Sequence, residues 1–422
     1  MTTMTAQRSD DDWQSLWAEV TETFSPGAPV QERDLFAGRA DQLQTLIDTV
    51  AQRGRHAVVF GERGVGKTSI TNILGLVLRR PRRDVISVKV NADPQDSFDS
   101  IWKKVFKRLN YESQKEGGQT VTRSIADDYS GKLTPDDVQL ELSDFAAHQV
   151  PLIVLDEFDR IADPSVTQLM ADTLKALSDY SVNATVIIVG VAEDVTGLIK
   201  GHESIARSLI QVRMPRMSQD ELGEIILSRY KKCGIKVDDE SLWKVTFLAR
   251  GIPYYAHLLG MHAARSAIKR KTIQVDAACL DEAQVVAVAE LDASIKENYF
   301  TAVRSQRSDD TLFAPVLLAC ALAKTDELGA FQQSAVTEPL NRIVPGKNYK
   351  PTTFAFHMNA FCEEQRKAVL EKFGGPRNQR YRFTDPAMPP FVVVKGLADG
   401  LIDDDIAQVF ANRRQLRLST DW

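Results

Sequence analysis

The 422-residue sequence holds only four cysteines, Cys233, Cys279, Cys320 and Cys362, spaced too widely for any metal-ligand pattern. They read as reduced thiols in the small, buried, apolar role that cysteine usually takes, which leaves no disulfide framework. No apolar run approaches 18 residues, so no membrane span is expected. The start, Met1 to Asp12, is polar and acidic and lacks an apolar segment after a basic one; a secretory leader is not expected and the protein is placed in the cytoplasm. A basic excess is missing too. The net charge of -5 argues against wholesale coating of nucleic acid, although a local basic patch could still bind it. No internal repeat is found.

What remains is ordinary globular material, 43% hydrophobic and 26% charged, and too long for one core, so two or three domains are expected. Residues 13–24 read as a short helix with Trp13, Leu16, Trp17 and Val20 on one face, and Pro26-Gly27-Ala28-Pro29 reads as a linker. From about Asp34, helical stretches alternate with short apolar runs at 57–60, 85–90, 152–155 and 186–189. Such runs suit parallel strands buried on both faces, and the whole predicts a doubly wound α/β sheet. The polar stretch 111–137 reads as a long surface loop. After Met217 helical periodicity takes over at 218–232, 239–250, 254–269 and 275–287, which predicts a helical second domain.

The chemistry is concentrated in Gly61-Glu62-Arg63-Gly64-Val65-Gly66-Lys67-Thr68, which follows an apolar strand and opens an amphipathic helix from Ser69. That context is what a phosphate-binding loop requires. Its glycines let backbone N–H groups turn toward phosphate oxygens, and the helix N-terminus adds positive potential. Lys67 is expected to reach the β- and γ-phosphates of ATP, and the Thr68 hydroxyl to ligate Mg²⁺. Downstream, Leu152-Ile153-Val154-Leu155-Asp156-Glu157 is an apolar strand ending in two carboxylates, as needed beside the loop strand in the same sheet. Asp156 would hold Mg²⁺ through water and Glu157 would polarise the attacking water. An ATPase is expected.

Ahead of the loop, Asp34-Leu35-Phe36-Ala37-Gly38-Arg39 resembles the element that precedes it in AAA+ ATPases of the replication-initiator (origin-recognition) clade. The order of parts continues to match, with a fourth strand at 186–189, a helix from Val195, a fifth strand at 210–214 and a lid opening at Met217-Ser218-Gln219-Asp220-Glu221-Leu222. The resemblance covers 34–290 and implies a P-loop AAA+ core followed by an all-α lid. It adds Phe36, Arg39 and Ser69 to the nucleotide-contacting loop. It also places Arg207 where the clade has an arginine that reaches a neighbouring subunit's γ-phosphate, which implies a homo-oligomer. Two positions depart from the clade. The fourth strand runs into Gly190-Val191-Ala192, leaving only Glu193 and Asp194 nearby and the clade's polar sensor unassigned. Gly251-Ile252-Pro253 is followed by Tyr254 where the clade carries an arginine, with Arg250 as a candidate substitute. A Gly-x-Pro without arginine also resembles the signal-transducing STAND ATPases, which use nucleotide exchange as a slow switch.

The C-terminal region reads as three short helices at 311–322, 331–343 and 351–363 followed by extended stretches at 368–373 and 379–383, which is a winged helix. Lys347, Lys350, Arg366, Lys367, Lys372, Arg377, Arg380 and Arg382 outnumber Glu363, Glu364 and Glu371 there, a patch suited to phosphate contact. Lys350, Lys372, Arg377, Arg380 and Arg382 are the expected contacts to double-stranded DNA, with weak sequence preference because the third helix is rich in Phe354, Phe356, Met358 and Phe361. Protein contact by the same domain remains the alternative, including a protein encoded alongside this one. The apolar stretch 391–402 could pack on the winged helix or on a partner. The division expected is a tail and helix at 1–30, an AAA+ core at 31–216, a lid at 217–290, a winged helix at 306–402 and a tail at 403–422.

Overall fold

A computed structural model describes residues 8–24, 26, 38–78, 84–114, 120–145, 148–192, 195, 198–199, 205, 207–290, 293–305, 312–326, 329–375, 378–403 and 405–406, with backbone alone for 110–114 and 120–123. Contacts divide the chain into two units, Pro29–Pro215 and a second formed by Met1–Ala28 with Arg216–Trp422.

The chain starts in the second unit with α1 (Asp10–Thr23), whose first turn is closed by a capping box between Ser9 and Asp12. The Pro29–Pro215 unit then runs α2 (Ala40–Ala51), β1 (His56–Phe60), α3 (Lys67–Val77), β2 (Asp84–Asn91), α4 (Phe98–Phe106), β3 (Asn110–Gln114), β4 (Thr120–Ser124), α5 (Pro135–Ser143), β5 (Gln149–Asp156), α6 (Pro164–Asp179), β6 (Thr185–Gly190) and β7 (Leu209–Arg213). Five of these strands form one parallel sheet in the order β2-β5-β6-β1-β7. All of β1 and β6 is buried, as the uninterrupted apolar runs require. β2 lies at an edge and is buried only in part. Trp102 of α4 is fully buried in the sheet's apolar cluster with Ile153, Leu155 and Met170; emptying such a site typically costs about 3–5 kcal/mol.

Among its described residues, the stretch 111–137 is not one long loop. β3 and β4 pair antiparallel from Asn110↔Ser124 to Gln114↔Thr120, and α5 begins at Pro135 behind a Thr134–Asp137 capping box. Its polar sequence has no apolar period, and the pairing of main-chain groups is what orders it. The helix expected from Val195 falls largely outside the described residues.

The second unit continues with α7 (Gln219–Lys232), β8 (Lys236–Val237), α8 (Asp239–Leu248), α9 (Pro253–Lys269), β9 (Gln274–Val275), α10 (Ala277–Glu290), α11 (Ala293–Val303), α12 (Phe313–Leu322), α13 (Thr337–Ile343), α14 (Pro351–Ala360), β10 (Leu370–Phe373), β11 (Arg380–Phe383) and α15 (Met388–Ala398). Helices α12, α13 and α14 with the β10–β11 hairpin form the winged helix, and a bridge from Phe331 to Tyr381 extends the wing. Helix α15 packs on α12, where Gly396 admits Leu318: a Cβ at Gly396 would stand 2.8 Å from Leu318 Cδ2. The apolar stretch therefore serves this domain. Helix α1 packs on α9 in the same unit, and Phe24 lies against Tyr230 and His257 with ring centroids 5.6 and 6.2 Å away.

His56 closes the start of β1. It is fully buried, and its Nδ1 accepts the Val186 N–H at 3.1 Å, one residue before the β1–β6 ladder begins at Ala57↔Ile187. Burial pushes its imidazole down to about 3. The unfolded chain takes up that proton near pH 6.5 and the folded chain only near 3, so the stability held above pH 6.5 should fall as pH drops between the two. The expected slope is about 1.4 kcal/mol per pH unit. His56→Asn, which keeps an acceptor without the titration, should flatten this slope in urea unfolding at pH 7 and pH 5; an unchanged slope would show that His56 is not its source.

Candidate nucleotide site

The phosphate loop is anchored where it leaves β1. Gly61 has φ 151°, and a Cβ there would lie 2.3 Å from the Met214 carbonyl oxygen, while the Met214 N–H donates to the Phe60 carbonyl at 2.7 Å. Gly64 and Gly66 have φ 82° and 96°, conformations that favour glycine, and Gly66 is the N-cap of α3. The loop thus ends at the N-terminus of a helix, a position that suits an anion. Val65 is buried, Glu62 is buried, Arg63 is exposed and Ser69 is half-buried.

Lys67 is buried, and its Nζ donates to the carbonyls of Gly61 at 2.9 Å and Glu62 at 2.6 Å. Burial lowers its ammonium to about 8, opposed by the charges of Asp159, Asp156 and Glu62. Asp156 ends β5, which is separated from β1 by β6 rather than lying directly beside it. The Thr68 hydroxyl donates to Asp156 Oδ2 at 2.8 Å, and Asp156 Oδ1 accepts the Glu157 N–H at 2.9 Å. A hydroxyl and a carboxylate oxygen so placed fit a hard cation. Among the described residues no cluster of three or more His, Cys, Asp or Glu could hold a metal, so phosphate oxygens and water would complete the shell, as suits Mg²⁺.

Glu157 stands at φ 55°, exposed, and its carboxylate pairs with Arg160 at 2.7 Å. Two residues that sequence reasoning passed over join the site. Asp159 Oδ1 accepts the Val191 N–H at 2.8 Å and heads the charges acting on Lys67, so the turn after β5 supplies the polar group at the end of β6. Gly190 could not supply it, because a Cβ there would meet Leu198 Cδ2 at 2.5 Å and Asp159 Oδ1 at 2.8 Å. Lys89 of β2 places Nζ 3.0 Å from Asp156 Oδ2. The signals were a third acid in Asp156-Glu157-Phe158-Asp159 and a lysine inside an apolar strand.

Among the other expected residues, Arg207 is exposed just before β7, and its carbonyl accepts from Arg55 Nη1 at 2.8 Å. Arg39 is buried at the start of α2 and donates to the Pro215 carbonyl, a contact that fixes the end of this unit. Phe36, Glu193 and Asp194 lie outside the described residues. In the second unit, Gly251 has φ 83° and accepts the Met217 N–H at 3.0 Å, while burial and Arg216 lower Arg250 to about 10. Tyr254 stands edge-on to Tyr255, with centroids 5.3 Å apart.

The expected DNA contacts do not converge as free cations. Arg380 pairs with Asp326 at 2.6 Å and Arg382 with Glu371 at 2.6 Å. Lys372 donates to Asn359 Oδ1 at 3.3 Å, Lys350 is an exposed N-cap of α14, and Arg377 lies outside the described residues. Arg366 stacks 3.4 Å from the Phe313 centroid and donates to the Arg304 carbonyl, so it is a packing residue. The α14 surface instead presents Phe356, 67% exposed, near exposed Thr352, Thr353 and Asn359.

Comparison with known proteins bears on this arrangement. The chain is 27% identical over 210 residues to an ORC1-type DNA replication protein of Thermoplasma volcanium, covering 47% of this chain and 48% of that protein. It is 26% identical over 206 residues to ORC1-type DNA replication protein 2 of Thermoplasma acidophilum, with the same coverage. The chain spans about half the length of the curated relatives it matches. Among solved structures, the Aeropyrum pernix ORC2 protein in ADPNP–ADP complexes aligns over 92% of this chain and 98% of that one at 13% identity and TM-score 0.49. The Aeropyrum pernix ORC1 protein in complex with DNA aligns over 90% and 97% at 13% identity and TM-score 0.47, likenesses too loose to bear on function. The model of the family described as Novel STAND NTPase 1 matches residues 29–251, more than half of the chain and the whole of the phosphate loop and its carboxylates. With a five-stranded parallel sheet that carries the phosphate loop and a C-terminal winged helix, the chain belongs to the Novel STAND NTPase 1 family.

Proposed function

We propose that the chain binds ATP at Gly61, Glu62, Arg63, Gly64, Val65, Gly66, Lys67, Thr68 and Ser69, hydrolyses it slowly, and uses its nucleotide state as a switch for what the winged helix engages. Lys67 exchanges the carbonyls of Gly61 and Glu62 for the β- and γ-phosphates. Thr68 and Asp156 are the residues that would hold Mg²⁺, which when bound screens the phosphate charge. Glu157 polarises the attacking water, and Arg207, exposed before β7, acts on the γ-phosphate of a neighbouring copy in a homo-oligomer.

One observation carries the slow-switch reading: Glu157 is turned outward at φ 55° and bound to Arg160 at 2.7 Å, so it must leave that partner before it can act as a base. The pair is half exposed, which limits its worth to about 0–1 kcal/mol. Turnover is therefore restrained by a modest factor rather than blocked.

For the partner, exposed Phe356 and the acid-paired wing arginines favour a protein effector. A protein encoded beside this one is a natural candidate. Duplex DNA is the second reading, favoured by the exposed lysines Lys347, Lys350 and Lys372 and by relatives that are DNA replication proteins. Among the described residues no helix is long and apolar enough to cross a membrane, and a cytoplasmic site of action is part of the proposal.

Glu157→Gln should lower steady-state ATP turnover by about 10²-fold or more while leaving ADP and ATP binding in place. Arg160→Ala should raise turnover by about two- to fivefold, the release of one exposed ion pair; an unchanged or lower rate would remove the restraint from the account. Anisotropy of a labelled 30-base-pair duplex at low and at physiological salt, with ADP or ATP, decides the partner. No binding even at low salt is expected for a protein effector, whereas ATP-dependent binding that weakens steeply with salt would establish the DNA reading.

A further inference from the structure

Lys89 interrupts the apolar run of β2 and reaches the carboxylate of Asp156. Its Nζ lies 3.0 Å from Asp156 Oδ2 and donates to Asn72 Oδ1 at 3.1 Å. Oδ2 is the same oxygen that accepts the Thr68 hydroxyl at 2.8 Å, so the corner where Thr68 and Asp156 would hold a divalent cation is already faced by a cation of the chain itself. The register explains the reach: β2 and β5 run in parallel with Lys89↔Val154 and Asn91↔Asp156, which brings a long side chain of the edge strand alongside the end of its neighbour.

The Asp156 side chain is 6% exposed and that of Lys89 is 30% exposed. A carboxylate so buried keeps its charge only with a counter-charge beside it, and Lys89 supplies one. A divalent ion and an ammonium cannot both press on one oxygen without strong repulsion at this range. Lys89 is carried on a flexible four-carbon stem from a partly exposed edge strand, so it has somewhere to go. Its other contact, Asn72, sits on α3 in the turn after Thr68, so the amide that steadies Nζ belongs to the helix that carries the phosphate loop.

We infer that Lys89 is a built-in counter-cation of Asp156 that stands in for the divalent ion's charge, so that the chain holds metal-free nucleotide and admits Mg²⁺ only by displacing Lys89. The inference rests on the reading of residues 61–68 as the phosphate loop. It gives the switch two loaded forms. In one, Lys67 and Lys89 together balance the phosphates and Asp156. In the other, Lys89 has withdrawn and Thr68 and Asp156 are released to the metal.

The test is calorimetric titration of the full chain with ADP and with ATP, in EDTA and across a Mg²⁺ series, for wild type, Lys89→Met and Asn72→Ala, with thermal melts alongside. Wild type is expected to bind ADP in EDTA within roughly threefold of its affinity in saturating Mg²⁺. Lys89→Met should lose about tenfold or more in EDTA, because Asp156 then faces the phosphates without a counter-charge, and should reach half-effect at roughly fivefold less Mg²⁺. Asn72→Ala keeps the ammonium but frees it, so it should keep affinity in EDTA and lower the Mg²⁺ midpoint. An unchanged Mg²⁺ midpoint in both variants overturns the inference. If Lys89→Met shows no cooperative melt, the Asn72→Ala midpoint decides alone. If wild type binds no nucleotide in any condition, the phosphate-loop reading itself fails, a result distinct from either.

Discussion

A buried negative charge organises the nucleotide unit. Asp156 must sit at the end of an interior strand to face the phosphate loop, and there it is almost wholly removed from water. A charge in that position is tolerated only if hydrogen bonds and cations surround it. The Thr68 hydroxyl, the Glu157 N–H and Lys89 each answer that requirement from a different element: α3, the turn after β5, and the edge strand β2. The five-stranded order brings these elements to one end of the sheet, and Lys67 and Asp159 are drawn into the same field. The site is thus a balanced set of charges before any phosphate enters it.

Much of this was legible in sequence because it is local or periodic. Four of the five parallel strands were visible as apolar runs and the fifth only through the family resemblance, the loop as glycines between a strand and a helix, and the second unit as helices of 3.6-residue period ending in a wing. Failures occurred where order comes from pairing rather than pattern. The β3–β4 hairpin has no apolar alternation, and its register is carried by main-chain bonds. Helix α11 falls in what read as the passage between lid and winged helix, and the apolar stretch after the wing could not be assigned until Gly396 was seen to admit Leu318. Lys89 and Asp159 were missed for a similar reason. Each sits near Asp156 through strand register or turn geometry, which a linear sequence does not display. The wing arginines were legible as charge but not as pairs, because Asp326 lies far from Arg380 in sequence.

The two departures from the replication-initiator pattern have local physical counterparts. At the end of β6 a side chain would strike Leu198 and Asp159, so glycine is required and the polar group arrives from the neighbouring turn. At the start of α9, Gly251 turns the chain with a positive φ against Arg216 and Met217, and a tyrosine follows the helix-opening proline. In the first case a carboxylate from a neighbouring turn stands where the strand itself carries no side chain, and in the second an aromatic side chain stands in place of a charged one.

The seating of α1 on α9 gives the second unit an unusual construction order. Phe24 fills a place beside Tyr230 and His257, where Gly260 leaves room for it: a Cβ at Gly260 would stand 2.8 Å from Phe24 Cε1. During synthesis that aromatic ring emerges long before the helix that receives it, and the nucleotide unit is translated in between. Seating the early helix on α9 is therefore a long-range closure, the kind of contact that slows folding because the intervening chain must be ordered or looped out first. The nucleotide unit is, in effect, an insertion within its partner, and the ribosome delivers the host in two instalments.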